Sequence, residues 1–161
     1  MPAATRIDLP KTVRAKSCDL LNAALADLID LGAQAKQAHW NVKGPQFIAL
    51  HELFDSIAGA MPEHIDTVAE RITALGGVAE GELRSVAKRS RLERYPAGLS
   101  DGLDHVAALA SAVATAGKAV REAIDKADDL DDVGTADLFT GISRDLDKKL
   151  WFLEAHLQAK G

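Results

Sequence analysis

An all-α fold, four long helices around one core with a single long central crossover, is what this sequence predicts. Three observations carry that expectation. Hydrophobic residues make up 47% of the 161 positions and aromatics only 4%, an Ala- and Leu-rich balance suited to packed helices. Apolar residues recur at three- and four-residue steps through four long segments, the period of an amphipathic helix. Between the second and third segments, from Val78 to Asp101, that period is lost. The length suits one domain with a full hydrophobic core, 12–161, behind a short tail, 1–11.

The first helix is expected from Thr12 to Asn41, with Leu21, Leu25, Leu28, Gly32 and Ala35 along one face and His39 continuing the stripe. Lys43-Gly44-Pro45 breaks the pattern, and Pro45 suits the first turn of a second helix. That helix carries Leu50, Phe54, Ile57, Met61, Ile65, Val68, Ile72 and Leu75, and Gly76-Gly77 is a suitable C-terminal stop. Pro62 lies in its middle, where it removes the hydrogen bond to the Ala58 carbonyl and predicts a tolerated kink. The crossover has room for a short helix around Gly81 to Ser90 and a turn at Tyr95-Pro96. A third long helix, Leu103 to Ala127, presents Leu103, Val106, Ala110, Val113, Gly117, Val120 and Ile124. After an acidic turn from Asp128 to Gly134, a fourth runs from Thr135 to Ala159 through Phe139, Ile142, Leu146, Leu150, Leu153 and Leu157. Four long helices with short links at each end and one long crossover describe a ferritin-like bundle.

Composition narrows the function classes. No apolar run reaches membrane-spanning length, and MPAATRIDLPKTVRAKS lacks the apolar core of a signal peptide. Cys18 is the single cysteine, so a cytoplasmic location is the default expectation. A net charge of −5 gives no general reason to expect nucleic-acid binding, although Arg6, Lys11, Arg14 and Lys16 make the start of the chain mildly basic.

The most informative residues are His51, Asp55, Asp66 and Glu70. At about 100° per residue they point roughly 130° away from the apolar stripe of the second helix. His51–Asp55 and Asp66–Glu70 are each i, i+4 pairs, one residue above the other on the helix surface. Asp55 and Asp66 are 11 residues apart, or roughly 16 Å along a helix. Metal–ligand bonds are about 2 Å long, so the two pairs cannot share an ion within one chain. A second copy of the helix, antiparallel across a two-fold axis, would set His51 and Asp55 of one chain opposite Asp66 and Glu70 of the other, twice. Ala58 and Gly59 lie between the pairs, where small side chains allow close approach. The competing reading is a plain solvated face, against which Asp66 and Glu70 stand as like charges at i, i+4 with no Lys or Arg four residues on.

Bundle-core di-iron proteins use Glu-x-x-His motifs directed inward, and none occurs in this chain. A metal site in this fold must therefore lie elsewhere, which favours an interface. His39 is the natural additional ligand, against the alternative of a hydrogen-bonded packing role. A mixed imidazole and carboxylate set suits iron, manganese or zinc, and only a redox metal permits electron transfer. His64, His105 and His156 lack ligand-like partners at helical spacing and are assigned surface or structural roles.

The run AHWNVKGPQFIALHELFD, followed by HIDTVAERITALGG, resembles the Dps family of mini-ferritins, and TADLFTGISRDLDKKLWFLE matches its last helix. The resemblance covers nearly the whole chain. It implies ferroxidase ligands at His39, His51, Asp55, Asp66 and Glu70, between two-fold-related subunits, with Trp40 beside them and Trp151 matching a second family tryptophan. It also implies a hollow dodecamer that binds Fe(II), oxidises it preferably with hydrogen peroxide, and stores ferric mineral, so protecting DNA. Asp128, Asp129, Asp132 and Asp137 are the candidates for an acidic pore that admits iron. DNA-coating members carry long lysine-rich tails, whereas Arg6, Lys11, Arg14 and Lys16 form only a short, mixed one. Two alternatives remain open at this point: a non-enzymatic DNA-compacting shell with a structural metal site, in which nucleoid association follows, and a plain helical scaffold.

Overall fold

The structure, a computed structural model, describes residues 4–159. Among these residues there are five helices and no strand: α1 Lys11–Asn41, α2 Phe47–Ala74, α3 Leu83–Arg89, α4 Gly102–Asp128 and α5 Val133–Glu154. The all-α bundle is therefore as the apolar period implies. α1 packs chiefly on α2 and α4 on α5, while α1 and α4 join the two pairs and α3 lies against α1. No helix among the described residues is long and apolar enough to cross a membrane.

The core is built from the expected stripes. Leu21, Leu25, Leu28 and Ala35 of α1 meet Leu50, Phe54, Ile57, Met61, Val68 and Ile72 of α2, all buried. Val106, Val113 and Val120 of α4 and Phe139, Ile142, Leu146 and Leu153 of α5 close it. Each such apolar side chain contributes about 1.5–3 kcal/mol when fully withdrawn from water. α1 and α2 approach closely at Gly32, where a Cβ would stand 3.3 Å from that of Met61.

Helix ends follow local chemistry. α2 stops in a Schellman motif: Gly77 N–H donates to Ile72 O and Gly76 N–H to Thr73 O, with Gly76 at φ 85°. The Arg14 guanidinium adds a hydrogen bond to Leu75 O at 3.0 Å, a cation at a helix C-terminus. α3 is capped by the Glu82 carboxylate, which accepts from Arg84 N and Ser85 N, and α4 by Asp101, which accepts from Leu103 N.

The crossover runs alongside α1 and is fastened to it in sequence order. Asn22 bonds the backbone of Val78 and Glu80. Buried Asp27 accepts from the backbone N–H and guanidinium of Arg91. Gln34 donates to Glu93 O. At the far end Lys43 N–H donates to Ser100 O. α4 thus starts at the same end of the bundle as α2, which is why the connection must be long.

Three expectations need correction. α5 ends at Glu154 rather than Ala159, closing in tight turns through His156 N–H to Leu153 O and Leu157 N–H to Glu154 O. Its last turn carries an acid and no base, the wrong sign for the helix dipole, and Leu157 is 46% exposed, so nothing in the protomer rewards continuation. Leu103, assigned to the inner face of α4, is exposed in the first turn. Pro62 is tolerated as expected: α2 continues through it, with the proline exposed. α1 begins one residue before the expected Thr12.

Candidate metal centre

His39, near the end of α1, and His51, in the second turn of α2, are brought together by the tight 42–46 link. Their rings stack with centroids 3.7 Å apart. Each Nδ1 lies 2.8 Å from the other residue's backbone carbonyl: His39 Nδ1 on His51 O, and His51 Nδ1 on His39 O. A carbonyl can only accept, so both Nδ1 atoms carry a proton, and in the neutral ring the lone pair is left on Nε2. This is the tautomer a metal needs, with the backbone supplying the orienting bond usual for ligating histidines. Phe47 packs on the outer side of His51 at 5.0 Å. Imidazole nitrogens of this kind, with the carboxylate of Asp55 one turn on, are donor types that suit an iron ion.

Asp55, one turn after His51, is exposed and held 2.7 Å from Lys36 Nζ. The hydrogen bond from Lys36, together with the positive charge of that ammonium, holds the Asp55 carboxyl below its ordinary value. Lys36 also stands 5.9 Å from the ring of Trp40, which is 66% exposed. The sequence reading passed over Lys36. Its spacing offered the signal, since it precedes His39 by three residues and Trp40 by four, on one helix face.

Asp66 and Glu70 are exposed farther along α2. Among the described residues of one protomer, no three His, Cys, Asp or Glu side chains gather closely enough to hold a metal ion. His39 and His51 stand stacked together, Asp55 follows one turn on in α2 and is paired with Lys36, and Asp66 and Glu70 lie farther along that helix. Between them a groove of 610 Å³ runs along α1 and α2, lined by Trp40, Asp55, Ala58, Gly59, Pro62 and Ile65 among others. A Cβ on Gly59 would meet nothing within 4 Å.

The other candidates are placed as follows. Asp128, Asp129 and Asp137 are exposed. Asp129 lines a groove with Lys16, Asp19 and Lys126, whereas Asp137 lines a different one with His64 and Thr67. Asp132 departs from expectation: it is 1% exposed, caps α5 by accepting from Thr135 N and Oγ1, and pairs with Arg71 at 2.7 Å. Both of its oxygens are engaged inside the protomer. Arg14 is likewise committed, to Leu9 O and Leu75 O, and Ile7 and Leu9 pack against the core, so residues 4–10 do not form a loose basic arm. Arg6 and Lys16 are exposed, as is Lys11 at the start of α1. His64 pairs with Asp145 at 2.7 Å, and His105 is buried. His156 bonds back to Phe152 O.

Comparison with known proteins agrees with this architecture. The ferritin-like domain family model matches residues 18–160. The DNA protection during starvation protein of Agrobacterium fabrum is 47% identical over 156 residues, covering 97% of this chain and 96% of that protein. Among solved structures, DpsC from Streptomyces coelicolor superposes with a TM-score of 0.95 at 33% identity, covering 100% of this chain and 94% of that one. Dps from Microbacterium arborescens in its high iron form gives 0.88 at 35% identity, covering 98% and 100%. With the bundle, the crossover and the sequence likeness all in accord, the chain belongs to the Dps family of ferritin-like proteins.

Proposed function

We propose that this protein is a ferroxidase whose site is shared between two copies of the chain, with His39, His51 and Asp55 from one and Asp66 and Glu70 from the other. The family's general role in iron storage and DNA protection is the frame for that reading. The observation that carries it is the reciprocal His39–His51 pair, two imidazoles locked by backbone carbonyls with both Nε2 lone pairs available. The exposed Asp66–Glu70 pair supplies the negative charge that two neutral imidazoles and one carboxylate lack.

Fe(II) is the substrate. Hard carboxylates stabilise Fe(III) more than Fe(II), so oxidation is favoured where Asp55, Asp66 and Glu70 converge. Hydrogen peroxide, as the preferred oxidant, accepts the electrons, and removing ferrous iron and peroxide together prevents hydroxyl-radical damage to DNA. Ferric product passes into the cavity of a closed homo-oligomer, a dodecamer in the cytoplasm, with Asp128, Asp129 and Asp137 on its uptake route. Lys36 is the resident cation of Asp55 and must give way as iron binds.

The test is anaerobic Fe(II) loading followed by a peroxide pulse, comparing the native protein with an assembled Asp66→Ala/Glu70→Ala variant. Rapid ferric absorbance in the native protein alone is expected; equal traces would leave the quartet as a solvated face. The second reading, DNA compaction with a structural metal, draws on the relatives' DNA-protection name. It predicts a gel shift that weakens steeply with salt.

A further inference from the structure

Tyr95 is the chain's only tyrosine, and the site described above does not use it. It lies on the crossover, half-buried, with its hydroxyl 2.6 Å from His105 Nδ1. His105 is 1% exposed, and its Nε2 lies 3.1 Å from Leu99 O. That carbonyl can only accept, so Nε2 carries the proton and Nδ1 is a bare base. The Tyr95 hydroxyl therefore donates to it. Burial pushes the Tyr95 hydroxyl up to about 12, so at neutral pH it keeps its proton yet has a base in hydrogen-bond contact. The His105 ring is 6.0 Å from Tyr95 and 6.4 Å from Phe54, which directly precedes Asp55. A chain of rings joins the phenol to the ligand helix.

We propose that Tyr95, with His105 as its proton acceptor, supplies the second electron when peroxide meets a site holding a single Fe(II). The proposal rests on the ferroxidase reading. Peroxide reduction to water takes two electrons, and one ferrous ion gives one. If the second is missing, hydroxyl radical is released. Here Fe(II) becomes Fe(III) and the phenol loses the other electron. The O–O bond breaks, and two protons from solvent complete two waters. The phenol O–H bond breaks as its proton moves to His105 Nδ1, leaving a neutral tyrosyl radical beside an imidazolium. Without that base, removing an electron from a buried phenol would leave a strongly acidic radical cation with no outlet for its proton.

Freeze-quench electron paramagnetic resonance on assembled protein tests this. Protein is loaded anaerobically with less than one Fe(II) per site, pulsed with peroxide, and read for ferric iron and organic radical in one sample. Ring-deuterated tyrosine separates a tyrosyl signal from Trp40 or Trp151. The expected result is ferric iron together with a tyrosyl radical that deuteration narrows, with a high-field spectrum shifted by an imidazolium hydrogen bond. Tyr95→Phe, checked for fold by thermal melting, should lose that radical and raise spin-trapped hydroxyl. Ferric iron with no tyrosyl signal, or with a tryptophan radical only, overturns the proposal and leaves the ferroxidase standing. An unshifted high-field spectrum overturns the part assigned to His105. No ferric iron overturns both. Flash oxidation of metal-free protein by a ruthenium(III) polypyridyl reads the pair independently, and Tyr95 oxidation unaffected by deuterated solvent would contradict it. A merely structural tie between crossover and α4 predicts none of these signals.

Discussion

Asp132 accepts from Thr135 N and Oγ1 and pairs with Arg71, whose Nε also reaches Thr135 Oγ1. Burial alone would push its carboxyl up; the bonds from Thr135 and the Arg71 charge outweigh it, and the net direction is down. Asp145 follows the same logic, with burial opposed and outweighed by His64 and Lys149. Because both folded-state values lie below the unfolded ones, their stabilisation is complete above about pH 4 and is lost as pH falls through the lowered values. Acid unfolding of Asp132→Asn should therefore be flatter below about pH 4 than that of the native chain. Asp132→Ala should cost about 3 kcal/mol in urea unfolding at fixed protomer concentration, because it strands Arg71 beside a buried cap. At the candidate site, Lys36→Gln frees Asp55 from the ammonium it is paired with. Fe(II) affinity should rise roughly two- to five-fold in an anaerobic titration, and less at high salt. Weaker binding would mean that Lys36 holds Asp55 in place for the metal.

At the scale of elements, the link between α4 and α5 repeats the Schellman pattern of α2 without its glycine. Asp132 N–H donates to Ala127 O and Asp131 N–H to Asp128 O, with Asp131 itself at φ 57°. An aspartate tolerates that left-handed position better than most residues but not as well as glycine. Asp131→Gly should stabilise by about 0.5–1 kcal/mol and raise Tm by about 1–3 °C. No gain would place the strain elsewhere in the turn. The other glycine stop is tight in space: a Cβ on Gly77 would lie 2.6 Å from Cys18 Sγ. Gly77→Ala should cost about 1–3 kcal/mol, partly relieved by Cys18→Ala, and a double-mutant cycle measures the coupling. The long helices were legible because each carries a period that only a helix can bury, as Phe54 and Ile57 of α2 illustrate. The end of α5 was not, since Leu157 continues the period but has no surface beneath it, and the last turn carries an acid and no base. The path of the crossover was hidden too, because Asp27–Arg91 and Gln34–Glu93 are long-range polar contacts with no local signature.

For the whole molecule, the face of α2 that carries the candidate site was legible from spacing: His51, Asp55, Asp66 and Glu70 all have solvent access, and the core stripe opposite is buried. What spacing could not give was the carbonyl lock between His39 and His51, which depends on how tightly the 42–46 link folds α2 back on α1. Nor could it give the withdrawal of Asp132 into a cap. The account's central claim is that the site is assembled from two chains, and complementation tests it most directly. A His51→Ala/Asp55→Ala variant and an Asp66→Ala/Glu70→Ala variant are each assembled alone, then reassembled together, and anaerobic Fe(II) binding is measured for all three. Each variant alone should bind no iron at the site. The mixed assembly should regain it, because every mixed dimer contains one pair of intact halves facing each other. Iron binding by the Asp66→Ala/Glu70→Ala assembly alone, or no recovery on mixing, would contradict a site shared between chains.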